Sequence, residues 1–161
     1  EIMPSLVGSE MCIRDSYTNE SYLTFGISCF TDSISDRETI KKHYFYDNGI
    51  LNLFLFQPET KLLENMVAIH LYKKYGEDLY YYNKNVEVDF CVPKEGLLVQ
   101  VSYRMLDDTT KNREVGALQK VAKFLKAKKC MIITYDQEET ITLKDLEIDV
   151  EVVPIYKYLL D

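Results

Sequence analysis

Hydrophobic and polar residues alternate most sharply between Val86 and Tyr103, in the stretch VEVDFCVPKEGLLVQVSY. Val86, Val88, Phe90 and Val92 alternate with Glu87, Asp89 and Cys91; after a break, Leu97, Val99 and Val101 alternate with Leu98, Gln100 and Ser102. A period of two predicts two half-buried strands. The break Pro93-Lys94-Glu95-Gly96 has the residues of a four-residue hairpin turn, Pro fixing φ early and Gly permitting positive φ late. With Val92 opposite Leu97, Asp89 falls opposite Gln100 and Glu87 opposite Ser102, and directly opposed side chains share a face with Cβ atoms roughly 5 Å apart. Alternation then predicts one polar face carrying Glu87, Asp89, Gln100 and Ser102, and one core face carrying Val86, Val88, Phe90, Val99 and Val101. Such a cluster is either the solvated outside of an amphipathic hairpin or a site for a metal ion or phosphate, according to what else converges there.

The clearest helical pattern runs over Lys61–Tyr75, with Leu62, Leu63, Met66, Val67, Ile69, His70 and Leu71 on one broad apolar side, a start at Pro58-Glu59-Thr60 and a stop at Gly76. Glu64 sits inside it between Leu63 and Asn65. A buried carboxylate needs a partner or a metal; a carboxylate in a first helical turn also complements the helix dipole. Residues 78–82 predict a strand leading into the hairpin, 107–112 a polar linker, and 113–128 an amphipathic helix with Val115, Leu118, Val121, Ala122 and Leu125 inward. A buried strand over 130–135, an acidic turn over 136–139, a last strand over 150–153 and a short apolar tail follow. Upstream, Tyr22–Phe25 and Ile27–Phe30 are strand-like pieces joined at Gly26, Lys41–Gly49 is a basic entry into an aromatic strand and an Asp-Asn-Gly turn, and Ile50–Phe56 is a buried helix or strand. From Lys61 onward the order is helix, strand, strand, strand, helix, strand. That is an α/β arrangement with an antiparallel front hairpin and a parallel crossover behind it, a mixed sheet flanked by helices.

Composition narrows the chemistry. At 161 residues there is room for one ordinary domain with its own core, or for a domain plus a fragment. The net charge of −7 disfavours a broad nucleic-acid footprint. Lys120, Lys123, Lys126, Lys128 and Lys129 form the one basic cluster, which the helical pattern assigns to a solvated face. No apolar run approaches the ~20 residues of a membrane span. Cys12, Cys29, Cys91 and Cys130 form no CxxC pair, so no zinc ribbon or redox motif is suggested and a reducing, cytoplasmic setting is expected. His43 and His70 are too far apart in sequence to suggest a metal site.

Residues 1–16, EIMPSLVGSEMCIRDS, show neither periodicity nor the basic start and apolar stretch of a signal peptide. Their wording resembles library-adapter sequence translated at the ends of metagenomic reads. They are expected to be non-natural, with the natural chain beginning well before Tyr17.

An acidic residue in the first helix, Asp on the second strand and a residue triplet on the third resemble the PD-(D/E)xK restriction-endonuclease-like fold. In that superfamily the three acidic groups bind magnesium and the lysine of an E-x-K triplet positions or activates water. The matching positions are Glu64, Asp89, Gln100 and Ser102, with Gln100 where an acid and Ser102 where the lysine is required. The pieces KKHYFYDNGILN, LLENMVAIHLYKK, LYYYNKNVEVDF, LVQVSY and NREVGAL further resemble, in order, the domain of unknown function that follows the ATPase module in many prokaryotic AAA-type ATPases. This resemblance implies that residues 17–39 are the end of a connecting winged-helix-like region and that 40–161 are the nuclease-like domain. It also implies that ATP binding belongs to an upstream module, since no GxxxxGK[ST] loop occurs here.

Metal-assisted phosphodiester cleavage needs carboxylates for Mg²⁺ and a group acting on water. Glu64 and Asp89 can supply two oxygens, Gln100 a neutral carbonyl and Glu87 a further carboxylate. Ser102 cannot replace a lysine, and Arg104, two positions later, cannot act as a base. The expectation is therefore a catalytically degenerate nuclease fold acting as a recognition or regulatory module beside the ATPase module, with a nucleic acid or a protein as the further partner. The alternatives are an active Mg²⁺-dependent endonuclease using Glu87 or Arg104, or a purely protein-interacting domain.

Overall fold

In the computed structural model, residues 21–31, 41–143, 146 and 148–160 are described. The segment 1–16, and residues 17–20 and 32–39 of the expected connecting region, lie outside them. Strands β1 (Thr24–Cys29), β2 (Lys41–Phe45), β3 (Tyr80–Asn83), β4 (Glu87–Val92), β5 (Leu97–Val101), β6 (Lys129–Thr134), β7 (Glu139–Thr142) and β8 (Asp149–Pro154) form one mixed sheet of order β2-β1-β3-β4-β5-β6-β8-β7. The helices are α1 (Asn48–Asn52), α2 (Glu59–Tyr75), α3 (Asp108–Leu125) and α4 (Ile155–Tyr158).

The expected hairpin forms in the expected register, Val92 opposite Leu97 and Phe90 opposite Val99. Gly96 takes φ 66°, and its carbonyl accepts from the N–H groups of Lys128 (2.7 Å) and Lys129 (3.1 Å), tying the turn to the end of the crossover. β5 and β6 pair in parallel across α3, and β6 and β8 pair in parallel as well. Two cores result. Leu63, Val67, Ala68 and Leu71 of α2 pack with Phe90, Val92, Val99 and Val101 on one face; Leu118, Val121 and Ala122 of α3 pack with Val88, Cys91, Leu98 and Ile132 on the other. Truncating a side chain as enclosed as Leu71 or Leu118 costs about 2–5 kcal/mol.

Several elements differ from the sequence reading. Residues 24–29 form one interior strand rather than two pieces, because Gly26 continues the antiparallel ladder opposite His43. Helix α3 begins five residues before Arg113: Asp107 caps it by accepting from the N–H of Thr110 at 2.7 Å, so the expected linker is its first turn. It stops at Lys126, which takes φ 51°. The acidic turn continues into β7, which borders β8 antiparallel. Residues 50–56 are not buried: α1 is a five-residue helix without a buried side chain, and beyond it Leu53 (80 %), Phe54 (73 %) and Phe56 (99 %) are exposed. On α2, Asn65 is buried at 2 % while Met66 is not. Among the described residues no helix is long and apolar enough to cross a membrane.

Candidate functional site

β4 and β5 are paired from Val92–Leu97 as far as Phe90–Val99. There they part, because β5 continues along β6 while β4 continues along β3. The register of β3 against β4 shifts at this point: Tyr80 faces Cys91 and Tyr82 faces Val88, so Asp89 and Phe90 together stand against Tyr81. A bulge of this kind breaks the alternation of side chains and re-aims them. This corrects the expected faces, since Val88 packs toward α3 while Phe90 and Val92 pack toward α2.

In the fork, side chains replace the ladder. The N–H of Val101 donates to Asp89 Oδ2 at 2.9 Å, and the N–H of Asp89 donates to Gln100 Oε1 at 3.2 Å. The fork opens into a cleft of about 610 Å³ bordered by Glu64, Glu87, Asp89, Gln100 and Glu114 and by the cations Lys42, Lys61, Arg113 and Lys120. Glu64, Glu87, Asp89 and Gln100, all singled out in the sequence, are thus brought together.

Ser102 is not brought with them. Its N–H donates to the carbonyl of Ile133 at 3.0 Å, following β6, and its hydroxyl donates to the carbonyl of Arg104 at 3.4 Å. Arg104 lies past the end of β5 with its guanidinium 5.7 Å from the Tyr103 ring, away from the cleft.

Gln100 also departs from the role expected of it. Its Nε2 donates to Glu114 Oε2 at 2.8 Å, and Glu114 Oε1 accepts from Arg113 Nε (3.1 Å) and its terminal nitrogen (2.5 Å). Glu114 is only 5 % exposed. Its position carried a signal: it lies four residues before Leu118 and seven before Val121, on the inward stripe of α3.

Glu64 accepts from the hydroxyl of Tyr44 at 2.9 Å and from Lys61 Nζ at 3.0 Å. Lys42 forms an ion pair with Glu87, lies 3.7 Å from Asp89 Oδ1 and stands 5.2 Å over the ring of Tyr81. Strand neighbours in a sheet are ~4.8 Å apart, so strands β2 and β4, separated by β1 and β3, would lie roughly 14 Å apart if the sheet were flat. The coiling of the sheet and the reach of the side chains bring Tyr44 within 5.6 Å of Phe90, and Lys42 over the fork. Asn65 fixes this approach. Its Oδ1 accepts from the N–H of Phe45 at 2.8 Å, and its Nδ2 donates to the Phe45 carbonyl at 2.9 Å and to Asn48 Oδ1 at 2.7 Å. A lysine from an edge strand thus stands over the fork, which no local pattern in the sequence could announce.

Burial, and after it the charge of Glu64, pushes the Asp89 carboxyl up to about 7, against the pull of the Val101 N–H and Lys42. Burial, and then Glu64, also raises the phenol of Tyr44, which stays protonated and donates. The hydrogen bond to Glu64 raises Lys61.

The residues do not suit a hard divalent ion. Such an ion wants about six oxygens in an ordered shell. Here both oxygens of Glu64 accept, from Tyr44 and Lys61, Asp89 Oδ2 accepts from the Val101 N–H, Glu87 and Asp89 Oδ1 face the Lys42 ammonium, and the carbonyl of Gln100 accepts from Asp89. Among the described residues, no three acidic, histidine or cysteine side chains are grouped so as to hold a metal.

The chain is 37 % identical over 168 residues to an uncharacterized protein of Methanocaldococcus jannaschii, across 94 % of this chain and 37 % of that relative. The chain thus spans little more than a third of the relative's length. No family model matches the sequence. No solved structure matches it.

Proposed function

We propose that this chain is the nuclease-like C-terminal part of a larger prokaryotic AAA-type ATPase, and that its cleft is a degenerate restriction-endonuclease-like site serving recognition or regulation rather than cleavage. The architecture is in keeping with that superfamily: a helix carboxylate on α2, an aspartate on β4, the third motif position on β5 and a helical crossover into β6. A relative with most of its length outside the matched region leaves room for an ATPase module. The observation that carries the reading is Gln100, which stands where an acid is required and commits one end of its amide to the Asp89 N–H and the other to Glu114. The partner on this reading is the ATPase module of the same polypeptide, since a net charge of −7 weighs against a broad nucleic-acid footprint.

Incubation with supercoiled plasmid and Mg²⁺ or Mn²⁺ tests it. No cleavage is expected; cleavage that disappears in Glu64→Ala or Asp89→Ala overturns it. A second reading, an active endonuclease, is favoured by one contact, the approach of Lys42 to within 3.7 Å of Asp89, and the same assay decides between the two.

A further inference from the structure

We infer that Lys42 is a resident cation of the cleft: its ammonium occupies the place between Glu87 and Asp89 that a divalent ion would need, so that the site excludes metal while Lys42 is in place. The inference rests on the reading of the cleft as a degenerate nuclease site.

Three features distinguish Lys42 from a mobile surface lysine. Its side chain is 26 % exposed, its ammonium contacts Glu87 and lies 3.7 Å from Asp89 Oδ1, and it lies over the Tyr81 ring. Its backbone is held as well. Lys42 pairs with Ile27 in the sheet, Tyr44 on the same strand donates to Glu64, and Phe45 is gripped by Asn65. The ammonium is delivered by a strand that is anchored to β1 on one side and to α2 through Glu64 and Asn65.

Charge counting gives the consequence. With Asp89 ionised, above the pH of about 7 to which its carboxyl is raised, Glu64, Glu87 and Asp89 contribute three negative charges, and Lys42 and Lys61, the lysines paired with them, two positive ones, leaving −1; Lys120 at the rim of the cleft adds a further positive charge. Adding a dication to that set leaves a surplus positive charge in a partly desolvated cleft, where like charges a few ångströms apart repel strongly. Removing the charge of Lys42 first makes the same set neutral with the ion bound. The ammonium also uses the oxygens that would ligate: a hard cation and a lysine compete for the same lone pairs. Arg113 is spent on Glu114 and does not enter this balance.

The test uses the full chain at pH 8, Mn²⁺ alone as the probe, and Lys42→Met, which removes the charge and keeps an unbranched side chain of similar length. Calorimetry and Mn²⁺ electron paramagnetic resonance are expected to show no saturable binding to the unmodified chain up to millimolar ion. In Lys42→Met they are expected to show a gain of about ten-fold or more, abolished by adding Asp89→Asn or Glu64→Gln. Two results overturn the inference: sub-millimolar Mn²⁺ binding by the unmodified chain, or no gain in a Lys42→Met chain whose circular dichroism is unchanged. Should Lys42→Met not fold, paramagnetic broadening in the unmodified chain decides. Millimolar Mn²⁺ that selectively broadens the Asp89 and Val101 amide signals overturns the inference; their persistence supports it. Plasmid cleavage by the unmodified chain sinks the proposed function, whereas failure of the gain in a chain that does not cleave sinks only this inference.

Discussion

Gln100 and Glu114 are joined through the amide nitrogen of the first and the carboxylate of the second, at 2.8 Å in a buried position. The orientation of the amide is dictated by its neighbours: a carboxylate can only accept, and the N–H of Asp89 on the other side can only donate. Gln100→Glu would place two carboxylates face to face, and one of them would have to take a proton. The expected cost is about 2–4 kcal/mol at pH 8. The sign follows from linkage: carboxyls raised in the folded state give their stability at low pH and lose it as pH rises, so urea denaturation at pH 5 should show a much smaller deficit. Although this change writes an acid into the third position of the proposed nuclease-like site, it is not expected to bring cleavage, because the side chain is turned toward α3.

Asp89 makes a prediction of its own. Its carboxyl is raised to about 7 in the fold against an ordinary value of 3.8. The folded protein therefore holds this proton more tightly than the unfolded chain does. The stabilisation is fully present below about pH 4 and is lost as pH rises toward 7. Asp89→Asn, whose side-chain oxygen can still accept from the Val101 N–H, is expected to raise stability at pH 8 by about 2 kcal/mol and to flatten the stability profile between pH 4 and 7. Chemical denaturation across that range checks it, and an unchanged slope would count against the assignment.

How much of this was legible beforehand depends on the range of each interaction. The hairpin, its register and α2 were readable because alternation, turn chemistry and helical spacing act over a few residues. Asp89 and Glu64 could be paired from the sequence only through a family resemblance, and they do border one cleft. Lys42 could not be found, because what brings it there is the coiling of the sheet across β1 and β3. The faces of β4 were misassigned because a bulge adds one residue against Tyr81, and nothing in VEVDFCV marks it. Glu114 was overlooked for another reason: an acid in NREVGAL reads as solvent-facing unless its spacing to Leu118 outweighs its charge.

Phe56 should be removable without harm to the fold. It is 99 % exposed, and the expectation from sequence that residues 50–56 are buried fails there. Phe56→Ser is expected to change stability by less than about 0.5 kcal/mol. A loss of several times that in urea denaturation would place the side chain in a contact the fold does not contain.

Asn65 should be among the least replaceable polar residues of the fold. Strand β2 lies at the edge of the sheet, and the N–H and carbonyl of Phe45 are satisfied by the single amide of Asn65, which also holds Asn48. Alanine would leave a partly buried donor and acceptor unpaired, each costing about 1–3 kcal/mol, so a total loss of about 4 kcal/mol is expected. A second effect distinguishes this from ordinary core damage. Lys42 and Tyr44 ride on the same strand, so loosening β2 withdraws both the ammonium near Asp89 and the hydroxyl on Glu64, while Lys61, on α2, keeps its ion pair. Hydrogen exchange should accelerate at the Phe45 amide by more than about 100-fold relative to β5 and β6. An Asn65→Ala chain in which exchange rises evenly over the whole sheet would mean that Asn65 supports the core as a whole rather than holding this strand over the cleft.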